Sequence, residues 1–521
     1  MQGTSWKGPL FLFITIVLIV AAVVYVRPIL FEKEQRATSD APSSSEQVRA
    51  AGDDYSGYFV INSPEMKKQA PRSGLELKFI LDGGAYADRL EKFANGDYDL
   101  IVIPIAEYIR HGLKHKYPGV IVSGIAGSRG ADAIVGFPDV MPTGKINDLD
   151  DPSLRWVYVN DSPSEFLIDL TVVDFDLARL QQNDSWRHEV GTIDEVYELA
   201  KAAVKDRSKG DIFVLWEPYV MTAVEKLGMK VLWSSKDFAG YIEDVFVFHR
   251  DFVKKDKGQV AFKFLQTYFR VFDLYAANKE KFLEELGDYS NLKGDRAKKI
   301  LDEIDFYDLQ ENCSQLFGIQ LNANVASEEK LVNSTIACTN VLARVGKFDA
   351  SQLSDPYRII NSSLLEDLAK SGIRAVGSAT NGPIDFPTLS DTEWKRLKEV
   401  GTMRVEPIVF QQGTNRLDEY GGKDIVDQIA QMLKVNYPNY RVAVRGHTGP
   451  GDETANLALS AERAQVVAQR LIAVHGIDPD RLNAEGWGNS QPPSRKPGES
   501  TRSWQLRMPR VEFVLLEGSS L

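Results

Sequence analysis

The chain has 521 residues and a formal net charge of −12, with 43% hydrophobic and 26% charged residues. That length suits three to four domains of about 150 residues each, with the composition of ordinary globular protein. The acidic balance and the absence of any Lys/Arg run exclude a nucleic-acid binder of the usual basic kind.

Pro9 to Val26 is an uncharged apolar run of 18 residues, long enough to cross a bilayer core as a helix. No small-x-small cleavage site follows it, so residues 1–31 read as an uncleaved signal anchor rather than a signal peptide. Residues 32–54 are polar, rich in Ser, Ala and charge, and read as a flexible stalk.

From Tyr55 to about residue 320, apolar strand-like runs alternate with helical ones. Gly57–Ile61, Leu75–Leu81, Asp99–Pro104, Gly119–Ile125, Arg155–Asn160, Asp211–Trp216, Lys230–Trp233 and Asp244–Phe248 read as strands. Tyr86–Ala94 reads as a helix stopped by Asn95-Gly96, and Val260–Leu286 as one long helix. This alternation predicts βαβ units, mainly parallel sheets, and room for two of them. Residues 321–403 are mixed and read as an extension and connector. From residue 404 to 521 the order is βαβαββ, with strands at Val405–Phe410, Tyr440–Arg445, Arg481–Gly486 and Arg510–Leu516 and a helix over Asn456–Val474.

Cys313 and Cys338 are the two cysteines, and there is no C-x-x-C, so a zinc or thiol-redox site is not indicated. In an oxidising compartment they can pair; two separate buried thiols remain the alternative. His111 and His115 have i, i+4 spacing, but no acid motif accompanies them, and a solvated helix face is the simpler reading. There is no nucleophile elbow and no phosphate-binding G-x-x-x-x-G-K-[ST], so neither an enzyme, a cofactor nor a metal is expected.

The C-terminal stretch Gly446-His447-Thr448-Gly449, followed by Asn456-x-x-Leu459-Ser460-x-x-Arg463-Ala464, resembles the peptidoglycan-binding core of OmpA-like domains. The resemblance extends to Ile408–Thr414, Gly476–Leu482 and Gly486–Pro492. It implies a ligand in the diaminopimelate of the peptidoglycan stem peptide. On this reading Arg463 takes the carboxylate bidentately, and Asn456, Ser460 and Thr448 stand at the site. The chain departs from the pattern at the acid, where Gly449 stands, so Asp452 or Glu453 would have to meet the ammonium. The terminal N-R-R-V-E also becomes Met508-Pro509-Arg510-Val511-Glu512.

The region 55–320 resembles periplasmic solute-binding proteins of the taurine, sulfonate and nitrate type. The matching segments are Ala94–Leu100, Gly130–Val135, Ile146–Leu149, Ser162–Leu167 and Leu215-Trp216-Glu217-Pro218-Tyr219. The resemblance implies an α/β, two-lobed periplasmic-binding-protein fold of type II that closes on a small solute. Ser162, Ser164 and Glu165 open a helix whose free N–H groups suit an anion. Ser63, Gly83 and Gly84 follow strands of the other lobe, and Trp216 and Glu217 end a third strand.

Together these features predict a single-pass protein of the bacterial cytoplasmic membrane with its bulk in the periplasm. It would hold a solute between membrane and wall, with a transporter or signalling protein as membrane partner. The alternative is a structural bridge from membrane to wall whose clamp has become a protein-interaction module.

Overall fold

The protein is described by a computed structural model covering residues 45–254, 257–321, 327–371, 386–411, 413–419, 421–437, 440–496 and 498–516. The apolar run 9–26 lies outside the described residues, among which no helix is long and apolar enough to cross a membrane.

The first lobe is built on β1 (Glu46–Gly52), β2 (Leu75–Leu81), β3 (Leu100–Pro104) and β4 (Gly119–Ser128). Helices α1 (Pro64–Arg72), α2 (Tyr86–Ala94) and α3 (Ile105–Gly112) lie between them. The chain then crosses into β5 (Asp132–Gly136), β6 (Trp156–Val159), α4 (Pro163–Asp174), β7 (Arg187–Val190) and α5 (Ile193–Ala203). The second lobe is completed by β8 (Ile212–Trp216), α6 (Tyr219–Leu227) and β9 (Lys230–Ser234). The chain returns in β10 (Glu243–His249), α7 (Gly258–Ala276), α8 (Lys279–Tyr289), α9 (Asp295–Glu303) and β11 (Ile304–Phe306).

The two sheets share one plan. Their orders are β2-β1-β3-β10-β4, with β11 added at the edge, and β7-β6-β8-β5-β9. In each, the fourth strand is the one that has just crossed from the other lobe, and it runs antiparallel to both neighbours. The other strand pairs described between adjacent strands of the five-strand plan are parallel. The two-lobed α/β architecture expected from the resemblance is the one observed. Helices cover both faces of these sheets, so β3 and β4 are buried along their whole length.

Two short crossings, 129–131 and 235–242, form the hinge. Ser128 and Ser235 are joined Oγ to Oγ at 2.7 Å, and Ser235 Oγ also accepts from Gly130 N at 2.8 Å. Ser128 N donates to Ile242 O at 3.0 Å.

Several expectations are corrected. Residues 46–52, assigned to the stalk, form β1, an interior strand of the first sheet between β2 and β3, with Val48, Ala50 and Ala51 fully buried. Gly57–Ile61 is not a strand but a tight turn leading into the short helix Phe59–Asn62; a short apolar run does not distinguish the two. The long helix over 260–286 is broken after Ala276, where Asn278 Oδ1 caps α8 by accepting from Lys281 N at 3.0 Å.

Residues 321–403 are no mere connector. α10 (Lys330–Arg344) packs against α3 and α4, one from each lobe, and α11 (Ser363–Lys370) lies near β4. β12 (Glu399–Met403) belongs to the C-terminal sheet, whereas Val405–Phe410 is not a strand.

The C-terminal domain continues with α12 (Lys423–Gln431), β13 (Arg441–His447), α13 (Glu453–Ala473), β14 (Leu482–Gly486) and β15 (Arg510–Leu516). Its sheet order is β12-β15-β13-β14. This domain docks on the second lobe and the hinge. Ala239 N donates to Asn436 O at 3.0 Å and Asn436 Nδ2 returns a bond to Ala239 O at 3.1 Å. Cys313 and Cys338 are both buried and unbonded to each other; the Cys338 thiol meets Tyr241 O at 3.3 Å.

Candidate functional site

Between the lobes lies a cavity of about 200 Å³. Strand β1 delivers Asp53 and Asp54 to it, and the turn that follows delivers Tyr55 and Tyr58. The crossover strands supply one acid each. Asp132 opens β5 and Asp244 is the second residue of β10, so each lobe contributes a carboxylate from the strand leaving the hinge. Trp216 stands directly across from Asp132 in the β5–β8 ladder.

Asp132 and Asp244 are 4% and 2% exposed. Ser128 Oγ donates to Asp132 Oδ2 at 2.6 Å, and Tyr58 Oη donates to Asp244 Oδ1. Burial pushes the Asp132 carboxyl up to about 6, and the Asp244 carboxyl well above the usual range, with Tyr58 opposing the rise. Asp53 differs in having a cation. Arg89 Nη2 donates to Asp53 Oδ2 at 2.9 Å, its Nε to Asp82 Oδ2 at 2.6 Å and its Nη1 to Val102 O at 2.6 Å.

Of the expected cleft residues, Gly83, Gly84, Ser162 and Trp216 line the cavity. Gly83 and Gly84 adopt φ of +66° and +82°, which a side chain would strain. Ser63, Ser164, Glu165 and Glu217 do not line it. Ser63 caps α1, accepting from Met66 N at 3.0 Å, and Ser164 is fully buried in α4. Glu165 belongs to an ion-pair network with Arg110 Nη1 at 2.8 Å and Lys347 Nζ at 2.5 Å; these cations hold its carboxyl low against burial. Glu217 turns back onto Met221 N at 3.1 Å. The aspartates were missed because they lie at or beside strand ends far apart in sequence, with no spacing pattern to mark them as a group.

The expected anion site at the start of α4 is also weakened. Pro163 occupies the first helical position and has no N–H, while the Ser162 hydroxyl is spent on Val159 O at 2.7 Å.

In the C-terminal domain, Gly446 and Gly486 are paired across β13 and β14 and let α13 lie directly on the sheet. A Cβ on Gly446 would come within 2.0 Å of Ser460 O. Ser460 is buried and ties the helix to the following loop, accepting from Gly488 N at 2.9 Å. Asn456 Nδ2 donates to Gly449 O at 3.0 Å. Thr448 is 5% exposed, and its Oγ1 has no partner among the described residues.

Arg463 lies over the Phe410 ring at 4.8 Å and donates from Nε to Thr414 O at 3.0 Å. Among the described residues no carboxylate pairs with it, and its two Nη groups carry no protein bond. Asp452 is exposed and caps α13, accepting from Ala455 N at 2.8 Å. His447 Nε2 lies 3.2 Å from Glu512, and His111 Nε2 lies 3.3 Å from Glu107; among the described residues no cluster of metal ligands occurs.

Residues 409–504 match the OmpA family model. The chain is 27% identical over 173 residues to the peptidoglycan-binding protein ArfA of Mycobacterium tuberculosis, a match covering 33% of this chain and 50% of that protein. It is 32% identical over 95 residues to outer membrane protein A of Bordetella avium, covering 18% of this chain and 47% of that one. The chain thus spans about half the length of the curated relatives it matches. Among solved structures, the periplasmic aliphatic sulphonate binding protein SsuA from Escherichia coli aligns with a TM-score of 0.45 and 16% identity, covering 67% of this chain and 98% of that one. The periplasmic nitrate-binding protein NrtA from Synechocystis aligns at 0.44 and 12%, covering 64% and 90%.

Proposed function

We propose that this is a cell-envelope solute-binding protein. Its two lobes close on a small ligand, its C-terminal domain holds peptidoglycan, and the apolar run 9–26 anchors it in the cytoplasmic membrane. The observation that carries the first part is the cavity placed between two lobes of like topology, with the hinge crossings beside it. The bound solute acts by hinge closure, without covalent chemistry. A membrane transporter or signalling protein would read the closed state.

For the wall, the half-buried guanidinium of Arg463 supports a carboxylate site, since its Nη groups are uncommitted among the described residues. Thr448 Oγ1, buried without a partner among the described residues, supplies a further polar contact. Retention of the full chain on purified peptidoglycan tests this: Arg463→Ala should lose most of it, and equal retention would refute the assignment. A rise in melting temperature with a small solute tests the clamp. A blank screen with intact wall retention would favour the structural bridge instead.

A further inference from the structure

We propose that the cavity between the lobes takes a small solute bearing a positively charged ammonium group, gripped by Asp132 from one lobe and Asp244 from the other and faced by aromatic rings. This rests on the solute-clamp reading above and reverses the anion expected from the sequence.

Among the described residues five aspartates line the cavity, and no lysine, arginine or histidine does. The guanidinium nearest to these acids, Arg89, is fully buried and already spent on Asp53, Asp82 and a backbone carbonyl. An anion entering here would meet only acidic side chains, with no cation free to offset its charge. An ammonium meets the opposite situation. Among the described residues, no group donates to Asp132 Oδ1 or Asp244 Oδ2, so each deeply buried carboxylate keeps one oxygen uncommitted. A buried carboxylate without a counter-charge is costly, and a ligand cation supplies that charge.

The walls fit the same chemistry. Tyr55, Tyr58, Tyr86, Trp216 and Tyr219 bring five aromatic rings to a cavity of about 200 Å³. Aromatic faces attract cations, most strongly where water is excluded. Asp194, at the start of α5, adds an exposed carboxylate at the rim, accepting from Tyr219 Oη. The partial positive charge at the start of α4 is small beside these full charges.

The test uses the full chain, with thermal shift and calorimetry against choline chloride, putrescine, sodium methanesulfonate and calcium chloride. The expected result is stabilisation by choline or putrescine and none by methanesulfonate or calcium. Asp132→Asn and Asp244→Asn should each weaken that binding at least tenfold. Asp194→Asn, a surface change that leaves the core intact, should weaken it severalfold while peptidoglycan retention stays at the parent level. Stabilisation by methanesulfonate alone would overturn the ammonium assignment and leave the clamp standing. Stabilisation by calcium alone, or undiminished ammonium binding in all three variants, would also overturn it. No response to any of the four would overturn the clamp and the assignment together.

Discussion

Tyr437 Oη donates to Asp174 Oδ2 across 2.6 Å, joining the C-terminal domain to the last residue of α4, the helix whose first residue, Pro163, lines the cavity. Asp174 is 4% exposed, and burial raises its carboxyl to about 6 while Tyr437 and Tyr241 oppose the rise. Tyr241 reaches the same oxygen only at 3.3 Å. Tyr437→Phe therefore leaves a buried carboxylate with one long hydrogen bond. The expected cost is about 1–3 kcal/mol of stability, measured by chemical denaturation of the full chain. A loss within error of zero would mean that the domain contact is not held here.

The closeness of α13 to its sheet gives a sharper contrast between two glycines. A Cβ on Gly446 would sit 2.0 Å from the backbone oxygen of Ser460, which cannot swing aside. Gly446→Ala should cost about 3 kcal/mol, at the upper end of ordinary overpacking. A Cβ on Gly449 would meet Pro509 Cγ at 3.7 Å, an ordinary contact. Gly449→Ala should change stability by less than about 0.5 kcal/mol. Melting temperatures of the two variants, taken side by side, check the packing directly.

The strands were legible where apolar runs were long and bounded by turn residues, as at Leu75–Leu81 and Arg510–Leu516. β1 was hidden because Glu46–Gly52 is rich in small and polar residues, and only its place between β2 and β3 buries it. The cleft was legible as a place, through Gly83, Gly84, Ser162 and Trp216, but not in its charge. Ser-Pro-Ser-Glu at 162–165 suggested an anion. The glutamate instead anchors Arg110 and Lys347, and the charge of the cavity is set by aspartates far apart in sequence.

Glu217 and Glu303 form a carboxyl pair between the second lobe and the end of α9. Glu217 Oε1 and Glu303 Oε2 are buried without a partner among the described residues, and one shared proton would satisfy both. Burial, reinforced by the negative charge of Glu303, pushes the Glu217 carboxyl up to about 8 from its ordinary 4.5. A raised folded value means that the folded state holds the proton more tightly. This contribution to stability is full below about 4.5 and is lost as pH rises through about 8. Glu217→Gln, which keeps a donor toward Glu303 but does not titrate, should flatten the fall in denaturation midpoint between pH 5 and 9 (roughly the window set by the raised value). Parallel pH profiles for the two proteins would contradict the pair.

Gly449 and Pro509 are two of the points at which the chain leaves the OmpA pattern, and a Cβ on Gly449 would meet Pro509 Cγ at 3.7 Å. An acid and an arginine are expected at these positions. Asp452 is a poor substitute for the acid, because its carboxylate already caps α13 through Ala455 N. Gly449→Asp places a carboxylate where the Cβ makes only an ordinary contact with Pro509 and the backbone is unstrained. It should strengthen retention on peptidoglycan by about 1.5 kcal/mol, roughly tenfold, the value of a hydrogen bond to a charged group. Asp452→Ala should instead cost about 1 kcal/mol of helix stability and leave retention unchanged. If Asp452→Ala abolishes retention and Gly449→Asp adds nothing, the helix cap and not the vacant pattern position meets the ammonium of the stem peptide.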